Sequence, residues 1–100
     1  MKDEIEKIHI RIPKWFKNPN QINSKILITF MRLSNCNQIP VSFSTLEKHC
    51  NLKTFKQNFA QMVNISQKNH GKVFNIRNDS ITLWDNVSEF IILEFNKFLK

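Results

Sequence analysis

FSTLEKHCNLKTFKQNFAQMVNISQKNHGKVFNIRNDSITLW, residues Phe43 to Trp84, carries its own punctuation. Ser44-Thr45-Leu46-Glu47 matches a capping box, with Ser44 at the N-cap and Glu47 reaching back three residues on. It predicts a short helix over about 45–50, with Leu46 and Cys50 facing inward and Asn51 as its stop. Thr54-Phe55-Lys56-Gln57 is a second box of the same form, and opens a longer helix from Phe55 to about Asn69. Gly71 supplies a C-terminal break, because glycine enters the left-handed conformation at no steric cost. Val73–Ile76 and Ile81–Trp84 are rich in β-formers, and Arg77-Asn78-Asp79-Ser80 joins them with residues that accept positive φ. The order is helix, tight turn, helix, hairpin.

Outward from this stretch the periodicity changes twice. Ile8, Ile10 and Ile12 alternate with His9 and Arg11, which predicts a strand or arm within residues 1–13, ended by Pro13. Asn18-Pro19 marks a turn, and a helix is expected from about Asn20 to Leu33. Its apolar row is Ile22, Ile26, Phe30 and Leu33, with Lys25, Thr29 and Arg32 on the polar side. Ile39–Ser42 reads as a short extended piece. Asn86-Val87-Ser88-Glu89 begins a final helix over 86–100, with Val87, Ile91, Ile92, Phe95, Phe98 and Leu99 in one arc. Phe90 and Leu93 lie off that arc, so they are either candidate contacts of a homodimer formed through the C-terminal helix or part of a core that wraps the helix.

The chain of 100 residues is long enough for one domain, which buries roughly two-thirds of its unfolded surface. No apolar run approaches the ~18 residues of a membrane span, and the charged start Met1-Lys2-Asp3-Glu4 is unlike a signal peptide. A cytoplasmic protein with no membrane partner is expected. Cys36 and Cys50 are then expected as free thiols.

The formal charge is +7, and its distribution is uneven. Residues 13–77 hold ten basic groups against Glu47 alone, whereas the flanking segments are balanced or acidic. Such a block suits a phosphate-lined partner. Chemistry has no comparable support. His9, His49 and His70 are dispersed without metal-ligand spacing, and the acids are scattered. One glycine excludes both a phosphate-cradling loop and a Gly-x-Ser-x-Gly elbow. The expectation is a protein that is not an enzyme, with no cofactor, no metal and no small-molecule ligand.

From about Asn20 to Trp84 the chain resembles the winged helix-turn-helix superfamily, in the order helix, short strand, helix, helix, hairpin. Small bacterial, plasmid and phage DNA-binding proteins are the most similar in pattern. The resemblance implies an α+β winged helix, a three-helix core at 20–84 with a β-hairpin wing, to which an N-terminal strand and a C-terminal helix are added. It implies double-stranded DNA as partner, the helix at 55–69 entering the major groove and the wing tip at 77–80 touching backbone or minor groove. Transcription regulation or initiation of plasmid or phage replication would be the setting; the rival role is a protein-interaction module, a small subunit of a larger assembly. One departure concerns the turn, where Asn51-Leu52 replaces the common Gly-Val and Phe55 follows only three residues on.

The residues that would carry DNA binding follow from their chemistry. Lys53, Thr54 and Lys56 sit at a helix entry, where cations and free N–H groups together attract phosphate. Gln57, Gln61 and Asn64 offer the paired donor and acceptor that read adenine, and Lys68 extends the same face. Arg77 and Asn78 occupy the wing tip, and Lys72 enters it with charge alone. Thirteen Asn and twelve Lys make such residues common in this chain, so the face as a whole carries the reading and no single amide does.

Overall fold

The computed structural model describes residues 2–100 as an α+β fold of five helices and one three-stranded antiparallel sheet. The order is α1 (Lys2–Lys17), α2 (Ile22–Leu33), β1 (Val41–Ser42), α3 (Phe43–Cys50), α4 (Phe55–Val63), β2 (Phe74–Arg77), β3 (Ser80–Leu83) and α5 (Asp85–Leu99). No helix among the described residues is long and apolar enough to cross a membrane.

The N-terminal strand does not exist. Ile8 and Ile12 are four residues apart, and with Trp15 and Phe16 they form one buried helical row. Ile10, which made the pattern look alternating, is left 62% exposed. Asp3 and Glu4 in the first turn and Lys14 and Lys17 in the last suit the helix dipole, and Pro13 is carried inside the helix. α2 is the central helix: Ile26, Leu27, Ile28, Phe30 and Met31 are all buried, while Lys25 and Arg32 stay exposed.

α2 ends in three consecutive residues of positive φ, Asn35, Cys36 and Asn37. Asparagine tolerates that region better than other side chains with a Cβ. Asn37 then uses its side-chain Oδ1 to accept from the Leu83 amide at 2.9 Å, which ties this turn to the end of β3. In the sheet, β3 lies between β1 and β2. Val41 faces Ile81, and Phe74, Asn75, Ile76 and Arg77 face Leu83, Thr82, Ile81 and Ser80. Asn78 and Asp79 have φ of 49° and 70°, as a two-residue hairpin loop requires.

An aromatic chain runs through the core. Phe43 meets Phe55 and Phe59 edge-on, both at 5.3 Å between centroids. Phe59 stacks on Phe74 at 5.4 Å, and Phe74 meets Phe30 edge-on at 5.0 Å. Each such pair adds about 0.5–1.5 kcal/mol beyond its buried area. Together they join α3, α4, β2 and α2.

Two helix starts and one cap differ from the expected ones. Ser42, not Ser44, caps α3, accepting from the Thr45 amide at 3.1 Å, so Glu47 lies too far along to close a capping box. Thr54 sits at the N-cap of α4 but caps no backbone amide; its hydroxyl accepts from Asn58 Nδ2 at 3.0 Å. The ~1 kcal/mol that a hydroxyl cap contributes therefore belongs to Ser42. α5 starts at Asp85, one residue early, with no side-chain cap.

Candidate nucleic-acid interface

The C-terminal boundary of α4 shapes the candidate site. α4 stops at Val63, six residues before the expected Asn69, because all of its last four carbonyls find partners there. Asn64 Nδ2 donates to Ala60 O at 2.9 Å, and the Gly71 amide to Gln61 O at 3.3 Å. The Val73 amide donates to Met62 O at 2.9 Å, and Lys72 Nζ to Val63 O at 2.8 Å. Gly71 is thus not the helix stop. Its φ of +143° lets the chain fold back under α1.

The intervening loop is held from α1. Lys7 Nζ donates to Ser66 O at 2.9 Å, and Arg11 Nη1 donates to Asn69 O at 3.0 Å and His70 O at 2.7 Å. Glu4 is buried, receives the Lys72 amide at 2.7 Å and pairs with Lys7 at 3.2 Å. His70 Nε2 bonds Asn58 Oδ1 at 2.8 Å. The Asn58 amide nitrogen already donates to Thr54 O at 2.9 Å, so the histidine is assigned as the donor. Burial first, and Arg11 second, push the His70 pKa below its ordinary 6.5. A base with a lowered folded pKa binds its proton less tightly folded than unfolded. Stability is then constant above about 6.5 and falls as pH drops below it, until the folded-state imidazole also charges. Urea unfolding at a series of pH values should show this decline, and His70→Gln should flatten it.

The site residues divide accordingly. Lys53, Thr54, Lys56 and Gln57 are exposed together at the start of α4. Gln61 is half-buried further along. Asn64 and Lys68 are not on the helix: Asn64 spends its amide on Ala60 O, and Lys68 is exposed in the loop beyond. Lys72 was expected to lend charge to the wing, but its ammonium turns inward. It donates to Val63 O at 2.8 Å and Phe74 O at 2.9 Å, and stands 5.5 Å from the centre of the Trp84 ring. Desolvation lowers its pKa, with Glu4 opposing. Arg77 and Asn78 are exposed at the hairpin tip. At the other end of the chain Phe90, a candidate dimer contact, stacks on His9 at 4.1 Å within the chain, which leaves Leu93 as the outward residue.

Phe43 brings the exposed parts together. It is the first residue of α3, its ring meets Phe55 at the start of α4, and its amide donates to Asp79 O in the hairpin turn at 3.0 Å. The start of α3, the start of α4 and the hairpin tip therefore share one end of the molecule. Ser44, Thr45 and Lys48 of α3 are exposed there or close by, and were missed in the sequence. Their signal was the Ser42-Phe43-Ser44-Thr45 run, obscured by placing the cap two residues late.

Among the described residues the ion pairs are Lys7–Glu4 and Lys97–Glu94, both outside residues 13–77. Lys48, Lys53, Lys56, Lys68 and Arg77 carry no acidic partner. No group of residues able to hold a metal ion occurs among the described residues. Cys36 and Cys50 are free thiols, and burial raises the Cys50 pKa, with a hydrogen bond to Thr29 opposing. Comparison with protein-family models, curated proteins and solved structures finds no match.

Proposed function

We propose that this chain is a winged-helix domain that binds double-stranded DNA. In this reading α4 enters the major groove and the β2–β3 hairpin is the wing. The order α2, β1, α3, α4, β2, β3, with β3 between β1 and β2, supports the winged-helix assignment. The observation that carries the function is the convergence at Phe43: an unpaired cationic helix start and a hairpin tip bearing Arg77 open on the same end. Lys53 and Lys56 would hold phosphate at the start of α4, with Lys48 and Arg77 following the backbone to either side. Gln57, and Gln61 where it is exposed, would face base edges. Transcription regulation and initiation of plasmid or phage replication both use such a domain.

Four unpaired cations at this end imply about four phosphate contacts. Affinity for random duplex DNA should then fall with salt, with log affinity against log salt sloping at about −3 to −5. Fluorescence anisotropy across a salt series measures it. Absence of binding at low salt would remove DNA as the partner.

A further inference from the structure

Away from this end, α1 and α5 lie side by side. His9 stacks on Phe90, and Phe16 packs on Phe95 at 5.9 Å and Phe98 at 5.4 Å, so sequence advances in the same direction along both helices. At 100° per residue, Glu6, Ile10 and Pro13 turn to the outer side of α1, and Leu93 to the neighbouring outer side of α5. Ile10 is 62% and Leu93 54% exposed, and a shallow groove lined by Lys2, Ile5, Glu6, His9 and Ile10 runs along α1. The strip is therefore apolar in the middle.

Its two ends carry opposite charge. Asp3, Glu6 and Glu89 lie at the N-terminal end of the helix pair, with Lys2. Lys14, Lys17 and Lys100 lie at the C-terminal end, where Lys97 and Glu94 neutralise each other as an ion pair at 3.0 Å. The helix dipoles favour acids at the N-terminal end and bases at the C-terminal end of each helix.

We propose that the α1–α5 face binds a second copy of this chain, antiparallel, about a two-fold axis that passes between Ile10 and Leu93. A two-fold interface requires a surface complementary to itself after a half turn. This face meets that requirement: the acidic end of each copy lies on the basic end of the other, and the apolar strips meet at the centre. An acidic partner would match only one end, and a basic partner only the other. The dimer is read without DNA, so its failure and the failure of the DNA reading are separate results.

The test is sedimentation equilibrium over a dilution series, with circular dichroism to establish folding. The parent chain is expected to approach twice the chain mass. Ile10→Glu with Leu93→Glu should stay folded, since both side chains are more than half exposed, and should remain monomeric. Glu6→Lys with Glu89→Lys makes both ends basic, and Lys17→Glu with Lys97→Glu makes both ends acidic. Each charge-reversed chain should dimerise about tenfold more weakly or worse, while an equal mixture of the two should form a heterodimer. A parent chain that stays monomeric, a dimer indifferent to the glutamate pair, or charge-reversed chains that fail to associate on mixing would each overturn the proposal.

Discussion

Gly71→Ala is expected to destabilise the chain by about 2–5 kcal/mol, the sum of two separate costs. The φ of +143° is a conformation that residues with a Cβ rarely adopt, and leaving it would pull on both neighbours. The Gly71 amide bonds Gln61 O and the Lys72 amide bonds buried Glu4, so the backbone has no slack on either side. Such strain costs about 1–2 kcal/mol. The added methyl would also stand 2.5 Å from Cδ1 of Ile8, well inside contact distance. Ile8 is wholly buried in the row that fixes α1 to the core, and overpacking there costs about 1–3 kcal/mol. Urea unfolding of the variant measures the sum. A chain as stable as the parent would mean that the loop after α4 is not held under α1 as described.

Lys53→Ala with Lys56→Ala should weaken duplex DNA binding by about ten- to a hundredfold at low salt, equally for all sequences. The salt slope should become shallower by about two, one unit for each phosphate lost. Both lysines are exposed and neither is in an ion pair, so stability should change by less than about 0.5 kcal/mol. That separation matters, because other cations of this chain have structural work. Lys7, Arg11 and Lys72 hold backbone carbonyls between α4 and β2. Their removal would unfold the loop before it told anything about DNA. Unchanged binding by the double variant would move the contact surface away from the start of α4.

The elements between Asn20 and Trp84 were legible because their signals are local. Apolar spacing fixes α2, Asn51 in a left-handed conformation ends α3, and Asn78-Asp79 turns the hairpin. What misled was a signal two physical causes can share. Ile8, Ile10 and Ile12 fit a strand by alternation, but Ile8 and Ile12 fit a helix with Trp15 and Phe16, and burial chose the second. The end of α4 was invisible for a different reason. Nothing within residues 63–69 forbids a helix; the stop comes from partners at Gly71, Lys72 and Val73 that claim its carbonyls. The same long-range contacts decide which cations remain free. Charge counting marked residues 13–77 as one basic block, yet Lys72 is turned inward and Asn64 is consumed as a helix cap. Lys53, Lys56 and Arg77 were read correctly as exposed because short side-chain environments at a helix start and a hairpin tip leave little to pair with them.

The most direct test of DNA binding at the Phe43 end is amide chemical-shift mapping during titration with random duplex DNA. Binding by the proposed face predicts shifts concentrated at Ser44–Thr45, Lys53–Gln57 and Arg77–Ser80, with the amides around Ile10 and Leu93 unmoved. Shifts confined to α1 and α5, or none at saturating duplex, would contradict it.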